Sequence, residues 1–141
     1  MADNVQGIEV GRTATYTRTV TTDDIQQFAQ ATGDTNPVHL DEAYAAGTMF
    51  KHVIAHGMLS AGYISAAIGT NLAPHAVVIY MSQNLRFRAP VSPGDTITAT
   101  VTATAVDAEK NRVTLDTVCT NQDGKEVLTG DALVMVVARE G

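Results

Sequence analysis

The chain has one cysteine, Cys119, among its 141 residues. No intrachain disulfide can form, and no cysteine-based zinc site can be assembled. Lysine is nearly as scarce, confined to Lys51, Lys110 and Lys125, and the formal net charge is -6. A surface of that sign repels phosphate backbones, so nucleic acid is not an expected partner. It also gives no general attraction for a polyanionic coenzyme, and any such ligand needs local basic groups. Long apolar runs are missing as well. No stretch approaches the roughly 20 apolar residues that cross a bilayer. Met1 to Val10 is polar and acidic, without the basic start and apolar run of a secretory signal. These absences point to a reducing cytoplasm and to no membrane partner.

What is present is globular: 45% of residues are hydrophobic and 17% charged. The length suits one domain over residues 1-141, with a core of its own. Arg12 to Val20 alternates polar and β-branched residues, as a short strand does. Thr21 opens a helix, with Asp24 three positions on and acids at the positive helix end. Ile25, Phe28 and Ala29 follow at helical spacing, and Gly33 is a natural terminator. Asp34 to His39 reads as a turn. Asp41 to Ala46 is helix-prone and ends at Gly47.

From His56 to Gly69 a second helix carries almost no charge. Met58, Leu59, Tyr63, Ile64 and Ile68 are apolar, and the residues between them are small. A helix without a solvated face is surrounded by protein, so this one is expected at the centre. Beyond it the period changes. Val77 to Phe87, Thr96 to Val106, Arg112 to Thr120 and Glu126 to Val137 are rich in Val, Ile and Thr, and Thr96 to Ala103 alternates strictly. Pro93-Gly94-Asp95, Asp107 to Asn111 and Asn121 to Gly124 separate them as turns. The expected class is α+β, a curved antiparallel sheet wrapped around one long central helix.

Asp34 and His39 place a carboxylate and an imidazole five residues apart on a turn. Such a pair can hold one water and exchange protons with it. Gly57, at the start of an uncharged helix, offers a backbone N–H where developing negative charge is stabilised.

The run Ala31-Thr32-Gly33-Asp34-Thr35-Asn36-Pro37-Val38-His39, with Ala45 six places beyond the histidine, resembles the hydratase-2 motif of the MaoC-like and (R)-specific enoyl-CoA hydratases. His56-Gly57-Met58 is similar to that family's histidine-glycine-methionine at the head of its central helix. Ser82 to Val91, followed by Gly94-Asp95, resembles its next strand and turn. The similarity extends from about Val10 to Val137. One local departure is His52-Val53, where the family has arginine and proline.

The resemblance implies the hot-dog fold and (R)-specific hydration of trans-2-enoyl-CoA, reversible, without a cofactor. It implies that Asp34 and His39 are the catalytic pair, that Gly57 serves the thioester oxygen, and that Ser65 lines the site. It also admits roles in β-oxidation or in supplying polyhydroxyalkanoate monomers. A homodimer is expected, because a single curved sheet leaves an edge strand and apolar surface exposed.

Plainer readings stand beside these. Asp34 can merely close an Asx-turn with the backbone near Asn36. His39 can be a satisfied loop histidine. Asn36, in the pocket or near it, acts as a brace because an amide does not titrate. His56 either lines the pocket or packs at the helix start, with packing favoured. Ser65 can simply bond a backbone carbonyl. His52 and His56 have a spacing that binds metal if helical, but no third ligand is evident, so no metal is expected. Arg86 and Arg88 share a strand face that meets either coenzyme phosphates or solvent. Tyr44, Tyr63 and Tyr80 are read as packing residues. Two alternatives stand beside the hydratase: dehydration of 3-hydroxyacyl carrier protein, a close enzymatic variant, and a catalytically silent thioester-binding module, against which the presence of both Asp34 and His39 counts. Thioester hydrolysis is disfavoured because Gly57 to Gly69 contains no Asp or Glu.

Overall fold

The computed structural model describes residues 3–140. Five strands form one antiparallel sheet: β1 (Thr13–Thr19), β2 (Ala76–Phe87), β3 (Thr96–Asp107), β4 (Arg112–Thr120) and β5 (Glu126–Ala138). Their spatial order is β1-β3-β4-β5-β2. Four helices precede β2: α1 (Thr22–Thr32), α2 (Pro37–Leu40), α3 (Glu42–Ala46) and α4 (Gly57–Ala66). Helix α4 continues in the wider π geometry through Ala67–Leu72. This is the expected α+β hot-dog architecture, with strand bounds within a residue or two of those read from the sequence.

The alternation of β3 does what its sequence requires. Ile97, Ala99, Val101 and Ala103 are buried, while the intervening threonines reach the other face. There Thr17 pairs with Thr98 at 3.0 Å and Thr19 with Thr96 at 2.8 Å, hydroxyl to hydroxyl, locking β1 to β3. Opposite the sheet, Ile64, Ile68 and Leu72 present one stripe, each no more than 1% exposed. Burying such side chains contributes about 1.5–3 kcal/mol apiece before entropy is counted. Tyr63 is buried beside them, with its ring 5.6 Å from that of Tyr16.

Helix α1 starts with the capping box expected of Thr21 and Asp24 and ends at Gly33 in the left-handed region, φ 82°. Asp24 also accepts from Arg18 Nε at 3.0 Å and Nη2 at 2.6 Å, fastening the helix start to β1.

Three expectations are corrected. The stretch after Asp34 is a single helical turn, Pro37–Leu40, because Asn36 caps it by accepting from Val38 N–H at 3.0 Å and proline suits the first helical position. Helix α4 is not enclosed on all sides: Met58, Gly62, Ser65 and Gly69 are exposed along one face. That face carries small uncharged residues, so absence of charge alone does not distinguish it from interior. Tyr44 and Tyr80 are 52% and 39% exposed, so of the three tyrosines only Tyr63 packs in the core.

Candidate active site

Gly33 turns the chain out of α1, and Asp34 follows at once. Its carboxylate accepts from Asn36 N–H at 3.4 Å, so the plain Asx-turn exists. That weak bond leaves most of the carboxylate's accepting capacity free, and Asp34 is exposed toward the pocket it lines. The short helix α2 then carries His39 back against the segment that leads into α4. His39 Nδ1 lies 2.7 Å from the carbonyl oxygen of Ile54. A carbonyl only accepts, so Nδ1 carries the proton and Nε2 of the neutral ring keeps a lone pair. This is the state a proton acceptor needs.

The leading segment is itself fixed. Ile54 N–H donates to Val38 C=O at 3.3 Å and Ala55 N–H to Val91 C=O at 2.7 Å. Val53 is buried, and His52 Nε2 meets Ser92 Oγ at 2.7 Å. The departure at His52-Val53 therefore leaves a well-anchored approach to α4. It also separates His52 from His56, since the two are not on a helix and bond different partners.

His56 stands immediately before α4 and is 2% exposed. Its Nε2 lies 2.9 Å from the carbonyl oxygen of Asp34. Its ring stacks on that of His39, with centroids 3.9 Å apart and 29° between planes. Side-chain donor atoms of Asp34, His39 and His56 all fall within 4.8 Å of one another. Three potential ligand atoms thus converge, one carboxylate and two imidazoles, one more than the sequence made visible. The stacking opposes chelation, because lone pairs lie in the ring planes and near-parallel rings do not aim both at one ion.

A pocket of about 520 Å³ opens on this cluster. Asp34, His39, His56, Gly57 and Ser60 line its polar end, His56 and Ser60 almost wholly buried, and Phe50, Ile54, Phe87, Val91, Val127 and Leu128 supply apolar wall. Few convergent polar groups in an apolar cleft are what a small-molecule site requires. Gly57 begins α4, so its N–H has no carbonyl one turn back to bind. A β-carbon there would meet the Phe87 ring, which keeps the helix head close to β2.

Two expected pocket residues lie elsewhere. Ser65 is exposed and does not line this cavity, whereas Ser60 does and is 3% exposed. At about 100° per residue, Ser60 shares the face of His56, and nine residues carry Ser65 half a turn away. That spacing was available in the sequence. Asn36 is exposed and outside the pocket, acting as the α2 cap. The arginines also part: Arg86 is exposed on β2, while Arg88 lies past the strand, lines the pocket and donates from Nε to Thr129 Oγ1 at 2.8 Å. The carbonyl of Ile54 and the ring of Phe28, 4.7 Å from His56, complete the surroundings. No residue-type pattern announces a backbone carbonyl, so the first was not legible.

Comparison with known proteins bears on the family and the fold. The family described as MaoC-like domain matches residues 3–123. An (R)-specific enoyl-CoA hydratase of Rhodospirillum rubrum is 52% identical over 134 residues, covering 95% of this chain and 92% of the relative. An R-hydratase of Pseudomonas aeruginosa, solved in the unliganded form, superposes with TM-score 0.87 at 47% identity, covering 94% of this chain and 84% of the other. An (R)-hydratase of Aeromonas caviae involved in polyhydroxyalkanoate biosynthesis gives TM-score 0.87 at 40% identity, covering 92% and 98%. With the match running through most of its length and through the site itself, the chain belongs to the MaoC-like domain family.

Proposed function

We propose that the protein is an enoyl-CoA hydratase that adds water to trans-2-enoyl-CoA and forms (R)-3-hydroxyacyl-CoA. One observation carries this reading: the Asp34 carboxylate and the His39 imidazole reach within 4.8 Å of each other in a pocket that the first N–H of α4 also lines. One water held by the pair gives its oxygen to Cβ of the conjugated thioester and a proton to the carboxylate or to Nε2. The π electrons move to the thioester oxygen, where the Gly57 N–H and the positive end of α4 stabilise the enolate. A proton returned to Cα completes the addition, and the same steps reversed eliminate water. No cofactor enters. The (R) outcome follows the names of the Rhodospirillum and Aeromonas relatives.

The reading includes one hot-dog domain over residues 1-141, a cytoplasmic location in keeping with the buried free thiol of Cys119, and a homodimer. Strand β2 ends the sheet and is exposed on both faces along much of its length, with Val77, Ile79, Tyr80, Met81 and Phe87 all at least 39% exposed. The small-residue face of α4 is open as well. A second copy laid edge to edge would cover both. Supply of polyhydroxyalkanoate monomers is one use of the product, suggested by the Aeromonas relative.

The test is direct. Purified protein mixed with crotonyl-CoA should remove the enoyl conjugation absorbance, and chiral analysis should find (R)-3-hydroxybutyryl-CoA. A parallel assay on the acyl carrier protein thioester separates the hydratase from a carrier-protein dehydratase. No absorbance change with either thioester overturns the enzymatic reading and leaves a silent thioester-binding module.

A further inference from the structure

His56 occupies the helix-cap position of α4 without using its side chain to cap that helix. Residues at that position ordinarily spend a side-chain acceptor on the free N–H groups of the first turn. Here the ring turns away and reaches across 22 residues of chain to the Asp34 carbonyl, at 2.9 Å. Because that oxygen only accepts, Nε2 carries the proton and Nδ1 holds the lone pair. Nδ1 is fully buried and has no hydrogen-bond partner among the described residues. A buried polar atom left without a partner costs about 1–3 kcal/mol. Such a cost is not what packing alone selects, because an apolar side chain of similar shape avoids it.

The ring's other contacts show what the arrangement provides. One contact is the His39 ring, stacked at 3.9 Å, and another is Phe28 of α1 at 4.7 Å. His39 is gripped at one edge by the Ile54 carbonyl through Nδ1. An edge bond alone leaves the ring free to swing about that bond, and the His56 face removes that freedom. The charged and titratable groups around His56 are Asp34, between α1 and α2, and His39, on α2; the α1 contact, Phe28, is uncharged.

We propose that His56 is the positioning residue of the Asp34–His39 pair, acting as the Nε2–H tautomer. Its N–H fixes the main chain of Asp34, its face sets the plane of His39, and its place before Gly57 ties both to the oxyanion N–H. It does not exchange a proton with substrate. This inference rests on the hydratase reading above and names the residue that aligns that site.

The test uses three proteins and two readouts. His56→Gln keeps an amide N–H at about the reach of Nε2, and His56→Leu removes the donor while retaining apolar bulk. With crotonyl-CoA, His56→Leu should lower kcat by about 10–100-fold with KM within about threefold, while His56→Gln recovers most of that loss. Nitrogen-15 spectra of the wild-type histidine rings, taken without substrate at a pH where the ring is neutral, should report His56 protonated on Nε2. A leucine variant with wild-type kcat, a glutamine variant no better than leucine, or an Nδ1–H signal for His56 overturns the proposal. Should the leucine variant fail to fold, the glutamine variant and the tautomer still decide it. An inactive wild-type enzyme counts against the hydratase reading instead, and the tautomer is read independently of it.

Discussion

A β-carbon placed on Gly57 would lie 2.7 Å from the ring of Phe87, closer than such atoms approach in proteins. The head of α4 and the end of β2 therefore meet at the floor of the pocket with no room for a side chain. Gly57→Ala should force Phe87 aside and shift the N–H that the proposed mechanism assigns to the thioester oxygen. The expected result is a fall in kcat of about 10²-fold or more, the scale of losing one oxyanion donor, with the fold retained because Phe87 is 54% exposed and can move. Steady-state hydration rates together with a circular dichroism spectrum check this.

Gly130 poses a stricter case. It faces Leu85 across β5 and β2, and a β-carbon would fall 1.8 Å from the backbone oxygen of Asn84. Backbone cannot swing aside as a ring can. Gly130→Ala should cost about 3 kcal/mol or more, at or above the usual overpacking penalty, visible as a large drop in Tm or as insoluble protein. A melting curve matching wild type would show that β2 and β5 are not so closely apposed.

The Arg18 guanidinium beside Asp24 holds its carboxyl below the ordinary aspartate range, and the Thr21 backbone bond acts in the same direction. A carboxyl depressed on folding stabilises fully above its unfolded value, about 3.9, and that stabilisation is lost as pH falls through the folded value. Arg18 is 48% exposed, so solvent screens much of the ion pair. Asp24→Ala should cost about 1–2 kcal/mol at pH 7, chiefly through the capping box. The gap between variant and wild type should close in acid below the ordinary aspartate range. A gap that is constant down to pH 2 in denaturant titrations would contradict the assignment.

Edge-to-edge pairing through β2 makes its own demand. Ile79 is 45% exposed, so Ile79→Lys leaves the core of the single chain untouched. It should convert a dimer to a monomer in sedimentation at micromolar concentration. A wild-type protein that is already monomeric under those conditions sinks the dimer.

Much of the fold is legible in the sequence. The strict alternation of Thr96 to Ala103, the cap at Thr21 and the stop at Gly33 each follow from local chemistry, and each appears where the pattern puts it. The Asp34–His39 pair was legible for a different reason: a long ordered motif confines both groups to one short excursion between helices. Residues gathered from distant segments were not. The Ile54 carbonyl that orients His39 has no side-chain signature, and the His39–His56 stack depends on how the approach to α4 folds back. Ser65 lies outside the cavity lining, and the nine-residue spacing from His56, about half a helical turn, already separates the two faces in the sequence.

The central claim is that Asp34 and His39 act as one unit on one water. Measuring crotonyl-CoA hydration by Asp34→Asn, His39→Gln and the double variant tests it most directly. Each single change should lower kcat by about 10²–10⁴-fold, and the double should fall little below the worse single, as residues of one unit do. Either single variant running near the wild-type rate would contradict the account.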